Sequence, residues 1–337
     1  MTSKFKKPSL LLASILALSV LAACGNNNAT PAESDSSKTT NNQNVTPSTP
    51  SSDSTTAVAV DETKAKELQA KFGDKKPEKV VVTSVAIAEM LDALGVVPVG
   101  VPTSKTALPA AFDSVTKIGS ALKPDAEVIS SLQPDVVLGP ESIEDSLNKQ
   151  LGASKLNLIY LPTDSLDDLK LSLVVLSRVY GQEAKATALI NRLTQEETAA
   201  VKQAEGKTAP KVMFLFGSAE SFMLMNESTF PGSLAKKLGA TNIVSSVLKS
   251  KETYVPLDME SVVTANPDVI LLVAHGDPEA AKKAFEADVK KNGAWEKMNA
   301  FKNNRVEALD YNLFGVASIV KAPDAYKEIA SKLFPAN

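Results

Sequence analysis

Histidine, cysteine and tryptophan each occur once in this chain of 337 residues, as His275, Cys24 and Trp295. A lone cysteine rules out an intrachain disulfide and any cysteine-based metal site. A lone histidine rules out the several imidazoles with which proteins ordinarily hold zinc or manganese. The common catalytic signatures are missing too. There is no Walker A lysine loop, no G-x-G-x-x-G and no G-x-S-x-G elbow, "FGSAES" failing to form one. Basic excess is likewise absent. With 36 Lys+Arg against 39 Asp+Glu and a net charge of −3, no basic block suggests a nucleic-acid partner. The carboxylates are abundant, but in a soluble protein most of them are solvated surface.

What is present has a clear order. Lys4, Lys6 and Lys7 precede a short apolar run at 9–20, followed by "LAAC" at 21–24. That is the plan of a signal peptide and not of a membrane span. "LAACG" also resembles the lipobox of bacterial lipoproteins, whose cysteine becomes the lipid-modified first residue. Cys24 falls on it. Loss of residues 1–23 takes three lysines and no acid, moving the net charge from −3 to −6. The stretch up to residue 61 is dominated at first by Asn, Ser, Thr and Pro. It has too little apolar area to offset its ordering entropy and reads as a tether.

Length suits about two domains of ~100–150 residues. Residues 62–72 form a short charged helix candidate. "KVVVTSVAIAEMLDALGV" gives a strand at 79–82 and a helix over 85–94 with Ser84 as N-cap. "VVPVGV" gives a second strand. "DAEVISSLQPDVVLGP" turns from helix to strand, and "LNLIYLP" is a strand. The second half repeats the scheme. It has a strand "KVMFLFGS", a helix "PGSLAKKLGA" ending at Gly239 and a helix-then-strand "MESVVTANPDVILLVAH". There follow a helix from "DPEAAKKAFEADVKKN" with Asp277 as N-cap and Pro278 in its first turn, a strand "NRVEALD" and a final helix over 323–333. Short apolar strands alternating with amphipathic helices predict parallel α/β sheets.

Two features organise this list. Glu127 stands seven residues before Pro134-Asp135-Val136, and Glu260 seven before Pro267-Asp268-Val269. The shared spacing and the shared acid point to two similar lobes. Between them, 165–206 reads as a helical connector divided at Gly181. His275 follows the strand "DVILLV" in the loop before a helix, on the edge where open α/β sheets bind ligands. From its position alone it is either a loop histidine bonded to its neighbours or a ligand residue facing the other lobe.

The motifs "TSVAIAEMLDALGV", "VGVPTS", "IGSALKPDAEVI", "KVMFLFGS", "NPDVILLVAHGDPE", "NGAWEKMNAFKNNRV" and "LFGVAS" together resemble the cluster-A substrate-binding lipoproteins of ABC transporters for iron chelates, haem and cobalamin. Within that group the chain is most similar to the Gram-positive haem receptors. The resemblance implies an α/β fold of two Rossmann-like lobes joined by a long connecting helix. It also implies that the histidine of the "HG.PE" loop, here His275, is an axial ligand of haem iron. The family's second axial ligand, a methionine, corresponds to Leu122, which cannot ligate iron. Met90, Met223 and Met225 are the other sulfurs near these motifs, and each lies in an apolar stretch suited to core packing. Haem propionates are implied at Ser84, Val85, Thr103, Ser104 and Lys105. A helix N-terminus at Ser84 suits a carboxylate on physical grounds as well, whereas Lys105 reads equally as an ordinary exposed lysine. Glu127 and Glu260 are implied to dock onto permease arginines, the alternative being solvated helix residues.

The expectation is therefore a monomeric, non-enzymatic receptor that carries haem to an ABC permease and is lipid-anchored on the extracellular face of a Gram-positive-type membrane. Its parts are a signal peptide (1–23), a tether (24–61), an N-terminal lobe (62–164), the connector (165–206) and a C-terminal lobe (207–337). A siderophore or other macrocyclic iron chelate is the alternative ligand on the same fold. A haem-handling enzyme or redox protein is the alternative of another class.

Overall fold

The computed structural model describes residues 60–218, 221–275, 277–291, 293 and 295–335. The leader, Cys24 and the tether up to residue 59 lie outside them. α1 (Glu62–Ala70) begins at Asp61, whose carboxylate accepts the N–H groups of Thr63 and Lys64. β1 (Val80–Val82) is three valines, all buried, as suits a central parallel strand covered on both faces. α2 (Val85–Leu94) starts after Ser84 and stops at Gly95, whose φ of 75° ends the helix in the left-handed conformation that glycine adopts most easily. Then come β2 (Gly100–Thr103), β3 (Thr116–Ser120), β4 (Lys123–Pro124), α3 (Ala126–Ser131), β5 (Val136–Pro140), α4 (Glu144–Leu151) and β6 (Leu158–Leu161). Their sheet has the order β4-β3-β2-β1-β5-β6 and is parallel except for β4.

α5 (Leu166–Tyr180) opens with a capping box between Ser165 and Asp168 and ends at Gly181, φ 65°. α6 (Glu183–Ala204) follows with 22 residues, a rod of about 33 Å. The break at Gly181 thus falls where the sequence placed it. Arg178 of α5 makes a bidentate pair with Glu62, at 2.8 and 3.0 Å, and fastens α1 to the connector.

The second sheet is built from β7 (Lys211–Ser218), β8 (Ser221–Met225), β9 (Thr241–Asn242), β10 (Tyr254–Pro256), β11 (Val269–Ala274) and β12 (Val306–Ala308). Its order is β10-β8-β7-β11-β12, with β9 beside the start of β7. Around it lie α7 (Phe230–Lys237), α8 (Ile243–Ser246), α9 (Met259–Ala265), α10 (Pro278–Lys291), α11 (Asn299–Lys302), α12 (Tyr311–Phe314) and α13 (Ala322–Leu333). Asp277 caps α10 through the N–H groups of Glu279 and Ala280.

Two expectations need correction. The second strand begins at Gly100, not in "VVP", because β2 pairs with β1 only from that residue. "SFMLM" is a strand, β8, running antiparallel to β7. The sheets are therefore not wholly parallel. β8 follows β7 after two residues, and β4 follows β3 after two, and so short a connection reverses the chain, whereas a parallel partner needs a long crossover.

The echo between the halves is structural. Asp135 accepts the N–H groups of Glu78 and Lys79 at the entry to β1. Asp268 accepts that of Lys211 at the entry to β7, and its other oxygen takes the side-chain amide of Asn299. In each lobe the Asp of "PDV" clamps the start of the neighbouring strand. Asp125 and Asp258 cap α3 and α9 in the same way, which places Glu127 and Glu260 alike in exposed first turns.

Candidate functional site

Parallel strands end on one edge of their sheet, and the residues that leave them there can converge. On the N-terminal lobe this edge carries the start of α2, the end of β2 and the β3–β4 turn. Ser84 is extended, φ −129° and ψ 138°, and its hydroxyl makes no capping hydrogen bond. The first-turn N–H groups and the positive end of the helix dipole are thus left to a ligand anion. Ser84 and Val85 are both buried, so what they offer is backbone rather than side chain. Thr103, the last residue of β2, and Ser104 and Lys105 just beyond it are exposed, with Ser104 Oγ accepting the N–H of Thr106 at 3.0 Å. Leu122 stands out at the β3–β4 turn with 62% of its surface exposed. Its carbonyl accepts from Gln150 Nε2 at 2.8 Å, which fixes the turn against α4.

On the C-terminal lobe the same edge carries His275. Its N–H donates to the Gly217 carbonyl at 2.7 Å, extending the β11–β7 ladder by one bond. Gly217, φ 150°, is required there, because a Cβ would run into the Ser221 carbonyl of the adjoining strand. The imidazole lies edge-on to Phe216, centroids 4.7 Å apart, and edge-on to Tyr311 at 5.2 Å. Tyr311 Oη is 2.6 Å from His275 Nδ1. Phe216 also meets Tyr254 at 5.8 Å. Phe216 pairs directly with Met223 across the ladder, so the two share a sheet face. Tyr254 and Met223 are 40% and 37% exposed, giving this wall an apolar, aromatic surface beside the imidazole.

The electrostatics tie the two walls together. Burial of its ring between aromatic neighbours, and then the positive charge of Lys105 from the other lobe, hold the His275 pKa below its ordinary value. Both effects favour neutral imidazole, the form that binds a metal. Asp164 of the first lobe is raised, chiefly by burial, and its charge in turn adds to the burial that raises Tyr254 of the second.

Ser84, Val85, Thr103, Ser104, Lys105 and Leu122 thus lie where strands of the first sheet end, and of these Lys105 acts by its charge on His275 of the other lobe. Glu127 and Glu260 stand apart on the flanks. Met90 and Met225 are buried in the core and cannot reach a ligand, and Met223 is on the same lobe as His275. A recess of about 340 Å³ beneath α1 is lined by Lys64, Lys71, Glu141 and Asp164 and holds none of the expected binding residues. Phe216, Tyr254 and Tyr311 were not foreseen. The available signal was their place in sequence, since Phe216 is two residues from the end of "KVMFLFGS" and Tyr311 directly follows "NRVEALD".

Among the described residues no group of three or more His, Cys, Asp or Glu could hold a metal ion. No described helix is long and apolar enough to cross a membrane. A family model described as periplasmic binding protein matches residues 80–313. The chain is 32% identical over 255 residues to the high-affinity heme uptake system protein IsdE of Staphylococcus aureus (strain bovine RF122 / ET3-1), covering 74% of this chain and 85% of that one. The crystal structure of S. aureus IsdE complexed with heme aligns with a TM-score of 0.68 at 30% identity, over 76% of this chain and 98% of that one. An ABC transporter substrate-binding protein from Listeria monocytogenes EGD-e aligns with a TM-score of 0.70 at 34% identity, over 78% and 100%.

Proposed function

The chain belongs to the periplasmic binding protein family, and from that premise we propose that it takes haem between its two lobes and delivers it to an ABC permease. The observation that carries this reading is the exposed imidazole of His275, set between Phe216 and Tyr311, with its pKa lowered by burial and by Lys105 of the other lobe. One imidazole is too little to hold a bare metal ion, but a porphyrin already supplies four nitrogens and needs only an axial donor. Phe216, Tyr254 and Met223 offer apolar surface to the macrocycle. The N–H groups at Val85 and the Thr103–Lys105 stretch suit its propionates. Relatives of the family are transport substrate-binding proteins rather than enzymes, and this chain binds its ligand without chemistry of its own. The proposal extends to residues 1–23 as a signal peptide, Cys24 as the lipid-modified residue, 24–61 as a tether, lobes at 62–164 and 207–337 with the connector at 165–206, and a monomeric receptor on the extracellular face.

Haemin titration of the purified protein tests this. A shifted Soret band with retention of intact porphyrin in the presence of a reductant is expected, and His275→Ala should lose most of the shift. An unchanged spectrum in His275→Ala would remove that residue from the site. Porphyrin cleavage would turn the reading towards an enzyme.

A further inference from the structure

We infer that Tyr311 is the positioning residue of His275, holding the imidazole so that Nε2 alone is presented to the ligand, and that Gly315 is the gap that seats Tyr311. Its geometry stands independently of the ligand, while its consequence for iron rests on the haem reading above.

The imidazole is held on three sides. Its backbone is tied to Gly217. The Phe216 ring closes one side at 4.7 Å. The Tyr311 hydroxyl occupies Nδ1 at 2.6 Å. An imidazole offers a metal one of its two nitrogens, and the hydrogen bond at the other decides which. With Nδ1 engaged by Tyr311, Nε2 is the donor left for the cleft. A hydroxyl can donate or accept. Once Nε2 carries iron the ring proton resides on Nδ1, and that N–H donates to the Tyr311 oxygen.

Tyr311 is itself fixed. Asp310 caps α12 through the Asn312 N–H at 2.8 Å, and the Asp310 N–H donates to Glu328 of α13 at 3.0 Å. The Tyr311 ring lies directly over Gly315, where a Cβ would sit 2.5–2.7 Å from Cζ, Cε1 and Cε2. The φ of Gly315 is −69°, which any residue adopts, so glycine is needed here for space and not for its backbone freedom. A methyl group at 315 would push the phenol away from His275.

Two measurements separate this role from simple packing and from the haem reading. The first needs no haem. A long-range 1H–15N spectrum of the protein contains the signals of a single imidazole. Wild type should show two well-separated ring nitrogens, one tautomer dominating. Tyr311→Phe, which keeps the ring and loses the hydroxyl, should bring the two shifts together, and Gly315→Ala should do the same with the hydroxyl still present. Unchanged shifts in Tyr311→Phe would overturn the inference, whether or not the glycine variant folds. The second uses ferrous haem-loaded protein, where the iron–imidazole stretching band should move to lower frequency in Tyr311→Phe as Nδ1–H loses its acceptor. Haem bound through His275 with this band unmoved would overturn the positioning role and leave the haem reading intact. Altered tautomers in a protein that ignores haem would do the reverse.

Discussion

At the scale of single residues, His275 and Leu122 set the chemistry of the site. The pKa of His275 lies below 6.5 because burial of its ring and then Lys105 disfavour the cation. In the ligand-free protein, NMR titration of the sole imidazole should give a midpoint below that value, and Lys105→Ala should raise it. A midpoint unmoved by the lysine would show that its charge does not reach across the cleft. Leu122, exposed at the β3–β4 turn of the other lobe, has a side chain that offers only dispersion contact. On the proposed reading, ferric haem should therefore be high-spin, five-coordinate or with water as sixth ligand, and open to cyanide. Leu122→Met should convert it towards a low-spin His/Met spectrum and slow haem loss. A thioether-to-iron charge-transfer band in the wild type would mean that a methionine is already the sixth ligand, and would overturn this coordination model.

At the scale of elements, the repeated Asp clamps decide how strands enter the sheets. Asp268→Ala leaves the N–H of Lys211 and the amide of Asn299 without their acceptor. The cost should be about 1–3 kcal/mol, read as a lower urea midpoint with an unchanged slope. Asp135 ionises below its usual value of 3.8 because the N–H groups of Lys79 and Glu78 point at it. The unfolded chain lacks these donors. The resulting stabilisation is complete above pH 3.8 and is lost as the pH falls below it towards the lowered folded value. Urea unfolding at a series of pH values should show wild type and Asp135→Asn converging in that acid window. A constant difference would mean that the clamp acts through shape rather than charge.

At the scale of the whole molecule, two lobes have to keep their edges face to face. α5 and α6 supply a stiff connection, and Lys321 beside α13 reaches the buried Glu89 of α2 at 3.2 Å, joining the two halves by an ion pair behind the ligand edges. Glu127 and Glu260 lie outward, one on each lobe, in matching first turns. If they meet permease arginines, each contact is an exposed pair worth below ~1 kcal/mol, so single reversals to Lys should change little. The double reversal should abolish haem-dependent growth with haem binding intact. Full transport by the double variant would exclude this surface as the dock.

The sequence by itself determined most of the long helices and the parallel strands. Helical and strand periodicity, Gly181, the cap at Asp277 and the echo around Asp135 and Asp268 are local or repeated patterns, and each is written in neighbouring residues. His275 could be singled out because it is alone and follows a strand. The antiparallel strands β4 and β8 escaped notice because a two-residue reversal in a polar context carries little hydrophobic signal. Only tertiary structure could join His275 to Phe216, 59 positions earlier, and to Tyr311, 36 positions later, because those contacts depend on the order in which parallel strands lie side by side and not on spacing along the chain. The same holds for the field of Lys105 on His275, which exists only because the folded chain sets the carboxyl edges of two separate sheets against each other.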